Sequence, residues 1–78
     1  MSIPSTNSVS DLDVRDYLNS LIDGTDSPSD LRISDQKIRG VLSAIRDYKD
    51  GNSTDIPSPD QIEDEEVRRI SQALIDNL

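Results

Sequence analysis

The sequence predicts an all-α protein, a small antiparallel bundle of three to four helices with a short third helix or turn. Three segments carry apolar residues at helical spacing, with Ser or Asp residues where each would begin. Glycines stand where the first two would end. No stretch alternates apolar and polar residues over more than a few positions, as a strand would. A chain of 78 residues has room for one domain with a thin core.

The first predicted helix follows residues 1–9, which we expect to be a flexible or extended N-terminal arm to a single helical domain at 10–78. Ser10 is placed to cap this helix, and Gly24 suits its C-terminal end. The residues expected to face the core are Leu12 or Val14, then Tyr17, Leu18, Leu21 and Ile22. In the connection that follows, Leu31 and Ile33 are expected to reach the core.

The second predicted helix begins with Ser34 as its cap and ends at Gly51. Gly40 lies inside it, at a cost of about 1 kcal/mol relative to Ala, and suggests the close approach of a neighbouring element or of a partner. The apolar stripe consists of Ile38, Val41, Leu42, Ile45 and Tyr48.

The third predicted helix starts at "SPDQ", with Ser58 as cap and Pro59 at the first helical position. Its inward face comprises Ile62, Val67, Ile70, Leu74 and Leu78. Because no apolar residue lies between Glu63 and Glu66, the alternative is a short turn around Pro59–Ile62 before the main helix, which would give four helical pieces.

Composition argues against several chemistries. Without Cys or His the chain has no disulfide, thiol nucleophile, imidazole base or ordinary zinc site. The stretch from Asp50 resembles a calcium loop but has Asp55 where Gly is required and Gln61 where Glu is required. We therefore predict a non-enzymatic protein with no catalytic residue, metal or cofactor. No apolar run reaches the ~20 residues of a membrane span, and the first residues lack signal-peptide features, which predicts a cytoplasmic protein.

Charge is the clearest global feature. Sixteen acids against eight bases give a formal net charge of −8. This charge disfavours direct binding to nucleic acid or to anionic membranes, and favours encounter with a basic protein. The alternative is that acidity only keeps a small domain soluble.

The first predicted helix carries Ser8-Val9-Ser10-Asp11 and then Asp16, Tyr17 and Leu18; later in the chain come Gly51, Asp55, Ile56-Pro57, "DQIEDEE" and "VRRISQALI". These residues and their order resemble the immunity proteins of colicin- and pyocin-type nuclease bacteriocins. The resemblance implies a four-helix protein that binds a cognate toxin nuclease and blocks it. One departure is that Ile56 and Pro57 replace the pair of Tyr residues with which the family anchors the toxin.

The resemblance also implies a binding surface on the second helix, which sets specificity, and on the third segment. Carried over by position, the partner-binding residues are Asp35, Ile38, Arg39, Leu42, Arg46 and Asp55. Alternatively, Ile38 and Leu42 belong to the core, and Arg39 and Arg46 are solvated or pair along the helix with Asp35 and Asp50.

Two other functions stay open. Acidity, helical content and "DIP" after the second helix resemble acyl carrier proteins, with Ser34 as the loaded residue, but Ile33-Ser34-Asp35 replaces the Asp-Ser-Leu signature of that family. The remaining alternative is a small structural or adaptor protein, for example of a phage particle, that uses "MSIPSTNSVS" as an extended arm.

Overall fold

A computed structural model describes residues 3–77, and these residues form three α-helices. They are α1 (Leu12–Asp23), α2 (Gln36–Lys49) and α3 (Glu65–Asp76), with 3-10 helices at Thr6–Ser8 and Asp30–Arg32. Each α-helix contacts the other two. The described residues contain no strand, which confirms the all-α class. No helix among them is both long and apolar enough to cross a membrane.

Every α-helix begins at an aspartate. The caps are Asp11, Asp35 and Asp64, and each carboxylate accepts hydrogen bonds from the amides two and three residues further on. The predicted caps Ser10 and Ser34 are therefore wrong by one residue, and Ser58 is wrong by six. A carboxylate accepts a stronger hydrogen bond than a hydroxyl and also interacts favourably with the positive end of the helix dipole.

The C-terminal ends of α1 and α2 confirm the two predicted glycines. Gly24 and Gly51 have φ angles of 71° and 79°, in the left-handed region that side chains with a Cβ avoid. The Asn52 amide reaches back to the Asp47 carbonyl at 2.9 Å, closing a Schellman motif around Gly51.

The core lies between the three helices. Its apolar members are Val9, Val14, Tyr17, Leu18, Leu21, Ile33, Ile38, Leu42, Ile45, Ile62, Val67, Ile70 and Leu74. Most of the predicted stripes are confirmed, but Leu12 is 59% exposed and Leu31 is 79% exposed. Of the alternatives Leu12 and Val14, Val14 is the buried one; Ile33 is buried as predicted, whereas Leu31 is not. Leu78 lies outside the described residues.

Residues 3–9 differ from the flexible or extended arm that the sequence predicts. Val9 is buried in the core, and Ile3 packs against it. The Thr6 hydroxyl donates to Asn19 Oδ1 on α1 at 2.7 Å. This segment is therefore attached to the helices by apolar and polar contacts; Met1 and Ser2 lie outside the described residues.

The segment before α3 forms a turn instead of a helix start. The Ile62 amide donates to the Pro59 carbonyl at 3.0 Å, and α3 begins only at Glu65. On one continuous helix Ile62 and Val67 would lie about 140° apart, because successive residues turn by about 100°. The break after Ile62 lets both side chains be buried. It confirms the predicted alternative of a turn, although this piece is not a fourth helix.

Candidate protein-binding site

Two predicted partner-binding residues on α2 belong to the core. Ile38 is 7% exposed and Leu42 is fully buried. They lie four positions apart, so they share the face that also carries buried Ile45. Their assignment to a binding surface is wrong, because a partner cannot reach them without opening the fold.

The predicted polar residues of α2 are in three different environments. Asp35 is exposed, but its Oδ1 already accepts hydrogen bonds from the amides of Lys37 and Ile38, at 2.9 and 3.1 Å. Arg39 is half-buried and makes no hydrogen bond or ion pair with the described residues. Arg46 does not pair with Asp50, which was one of the alternatives for it. Its Nη2 lies 3.9 Å from Asp47 Oδ1, and its guanidinium carbon lies over the Tyr17 ring, 6.0 Å from the ring centroid.

A polar cluster connects Tyr17 on α1, Asp30 in the second 3-10 helix, and Ser43 and Arg46 on α2. The Ser43 hydroxyl donates to Asp30 Oδ2 at 2.5 Å, and this bond, helped by the charge of Arg46, lowers the pKa of Asp30. Burial raises the pKa of the Tyr17 phenol, whereas Arg46 opposes that rise. The Tyr17 hydroxyl lies near the Ser43 hydroxyl but makes no hydrogen bond of good geometry. Arg46 is thus engaged inside the molecule and is less available to a partner than the sequence predicts.

A pocket of about 190 Å³ opens beside this cluster. Its lining residues are Ser20, Leu21, Gly24, Thr25, Asp26, Ser27, Arg46, Lys49 and Asp50. The Lys49 ammonium donates to the Leu21 carbonyl, near the C-terminal end of α1 where a cation is favourable. Two cationic and two acidic residues line the pocket, so their formal charges balance and select neither an anion nor a cation.

The acidic segment, residues 50–66, presents a different surface. It contains seven acids and no Lys or Arg. Its exposed carboxylates without a hydrogen bond or ion pair to the described residues are Asp50, Asp55, Asp60, Glu63 and Glu65. Ile56, next to Asp55, is 68% exposed. Beyond Asp50, which lines the pocket, the segment therefore combines exposed carboxylates that make no ion pair with the described residues and one exposed large apolar side chain.

The acidic segment is fixed to the body at several points. Ile62 is 1% exposed, and its carbonyl accepts a hydrogen bond from Arg68 Nη1 at 3.2 Å. Pro59 is also buried. The Ser53 hydroxyl accepts from the Asp55 amide at 3.2 Å, which orders the chain just before Ile56. The carboxylates are thus displayed on a connection that is anchored in the core.

Glu66 ends the acidic segment and is the member that is paired. Its Oε2 accepts hydrogen bonds from the Ser8 hydroxyl and from Arg69 Nη2, both at 2.8 Å. The Ser8 hydrogen bond and then the Arg69 contact lower the pKa of Glu66. Its side chain is still 36% exposed, so it remains accessible from outside.

Of the predicted site residues, Asp55 is the one on this segment. The resemblance implied Asp55, but sequence reasoning did not select Asp60, Glu63 or Glu65. The available signal was the absence of any base between Lys49 and Arg68, which leaves Asp60 and Glu63 without a base within four residues along the chain.

Comparison with protein-family models, with curated proteins and with solved structures finds no match to this chain. The resemblance to bacteriocin immunity proteins therefore stays a prediction. The carrier-protein reading also stays a prediction; Ser34 is exposed and directly precedes the cap Asp35.

Proposed function

We propose that the protein is an acidic binding module that inhibits a basic partner, as an immunity protein neutralising a bacteriocin-type nuclease. The observation that carries this proposal is the acidic segment. Asp55, Asp60 and Glu63 are exposed there and make no ion pair with a cation of the described residues. A carboxylate that forms no ion pair and does not cap a helix gains more interaction energy from a cationic surface than one that is already bonded within the protein.

The proposed mechanism is occupation of the cationic groove with which a nuclease binds phosphates. Carboxylates fixed on a folded connection lie against the basic side chains of the groove and exclude the nucleic acid, with no catalytic residue or cofactor required. The net charge of −8 accelerates encounter with a basic partner. The exposed Ile56 adds an apolar contact within the charged surface.

The proposed architecture is an antiparallel bundle in which the turn at Pro59–Ile62 takes the place of a short third helix. Asp35 and Arg39 would lie at the edge of the interface and adjust specificity. The protein would act in the cytoplasm on the toxin itself, without direct contact with nucleic acid or membrane.

The test is a titration with basic nuclease domains of bacteriocins at increasing ionic strength, followed by an assay of DNA or RNA cleavage. We expect association that weakens as salt rises, because exposed charges are screened over about 10 Å at 0.1 M salt. We also expect the bound nuclease to lose cleavage. Absence of association with every such nuclease at low ionic strength would contradict the proposal.

A further inference from the structure

The N-terminal segment, residues 3–9, joins α1 to α3. Thr6 is bonded to Asn19 on α1, whereas Ser8 is bonded to Glu66 in the first turn of α3. Directly after Ser8, Val9 is 2% exposed in the core. Among the described residues, the Ser8–Glu66 bond is thus the polar side-chain contact between this segment and α3, and it lies at the end of the acidic segment.

One carboxylate oxygen of Glu66, Oε2, accepts both of the hydrogen bonds that this side chain makes with the described residues. A carboxylate has about four acceptor positions, two on each oxygen. The Ser8 hydroxyl and the Arg69 guanidinium occupy both positions of Oε2. An arginine from outside that pairs in the two-pronged manner needs one position on each oxygen. It must therefore displace Ser8 or Arg69, and the neutral hydroxyl makes the weaker of the two bonds.

We propose that residues 3–9 form a strap whose contact with α3 is released when an arginine of the basic partner pairs with Glu66. This inference rests on the proposed function, since it concerns how the acidic segment responds to its partner. The strap keeps its apolar contacts through Ile3 and Val9, so release loosens the segment without opening the core.

Coupling of this kind is reciprocal. If an arginine partner weakens the strap, then a variant without the Ser8 bond must bind that partner more tightly by the same factor. A net hydrogen-bond contribution of about 0.5–1.5 kcal/mol corresponds to a change in affinity of about three-fold to ten-fold. A lysine ammonium can bond to the free Oε1 alone, so a lysine partner should not show the effect.

The experiment measures the affinity of hexa-arginine and hexa-lysine peptides at low ionic strength for three proteins: the wild type, Ser8→Ala and Ser10→Ala. Ser10 is the matched control, because it is exposed and its side chain makes no hydrogen bond with the described residues. Amide exchange of Val9, whose N–H donates to the Thr6 carbonyl at 3.0 Å, reports on the strap directly.

We expect Ser8→Ala to bind hexa-arginine about three-fold to ten-fold more tightly than the wild type and Ser10→Ala, with hexa-lysine affinity unchanged. Hexa-arginine should also accelerate Val9 exchange in the wild type. If all three proteins bind hexa-arginine equally, or if hexa-lysine gains as much, the strap proposal is overturned while the proposed function stands. If none binds either peptide, the strap proposal is overturned, and the nuclease titration described above decides the proposed function.

Discussion

The inward face of α2 and the acidic segment that follows it are neighbours in the chain with opposite physical character. On α2, Leu42 and Ile45 are fully buried. In the acidic segment, Pro59 and Ile62 are buried, whereas the carboxylates of Asp55, Asp60, Glu63 and Glu65 are exposed and make no hydrogen bond or ion pair with the described residues. Under the proposed function, stability therefore depends on the first region and partner binding on the second. The Schellman motif at Gly51 marks the boundary between the two regions.

Core truncation on α2 should have the largest effect on stability. Leu42→Ala removes a fully buried side chain and is expected to lower the free energy of unfolding by about 2–5 kcal/mol. Ile56→Ala, in the acidic segment, removes an exposed side chain and should change it by less than about 0.5 kcal/mol. Urea denaturation of both variants measures the difference. If both variants lost a comparable free energy of unfolding, Ile56 would be packed in the fold, and the acidic segment would not differ from α2 in this respect.

Two glycine substitutions should act with opposite signs. At Gly51, φ is 79°, so Gly51→Ala is expected to lower the free energy of unfolding by about 1–2 kcal/mol. A Cβ at Gly40 would meet nothing within 4 Å, so Gly40→Ala should raise it by about 1 kcal/mol. Thermal unfolding of the pair tests this. A destabilising Gly40→Ala would mean that a Cβ at this position clashes with a neighbouring group, which the structure does not show.

The smallest expected effect is on how the free energy of unfolding changes at acidic pH. The pKa of Glu66 is lowered by Ser8 and Arg69, so the unfolded chain binds a proton at Glu66 more readily than the folded one does. The stabilisation is therefore complete above the ordinary glutamate pKa of about 4.3 and is lost as pH falls through the lower folded pKa. Urea midpoints measured across this range should fall less steeply for Ser8→Ala than for Ser10→Ala. Identical slopes would contradict a contribution from the Ser8 bond.

Much of the helical fold could be predicted from local pattern. Apolar spacing located the three helices, and Gly24 and Gly51 fixed two of their ends, because a left-handed residue is a local requirement that glycine meets. The helix starts were less certain, since Ser and Asp stand side by side at positions 10–11 and 34–35 and both are good caps.

Tertiary contacts decided what the pattern left open. Leu12 and Val14 both fit the stripe of α1, and packing buries Val14. Likewise, Ile33 is buried where Leu31 is not. The docking of residues 3–9 depends on Asn19 and Glu66, which lie 13 and 58 positions from their partners in the chain, so no local signal could reveal it.

The candidate site could be predicted only as a region. Charge composition indicated an acidic surface, but positions carried over from a family placed Ile38 and Leu42 on it, although both are buried. Whether an aliphatic residue on α2 faces the core depends on how the helix is rotated against its neighbours. Asp55 stays a prediction, and the structure adds the exposed acids Asp60, Glu63 and Glu65 on the same segment.

The central claim is that the basic partner binds the acidic segment itself and is not attracted only by the net negative charge of the whole protein. Its most direct test compares Asp55→Asn/Asp60→Asn with Asp16→Asn/Asp23→Asn in association with a basic bacteriocin-type nuclease. The two double variants change net charge equally, and all four residues are exposed without side-chain partners among the described residues. We predict that the first pair weakens binding about ten-fold or more and that the α1 pair has little effect. Equal losses in the two pairs would contradict the claim.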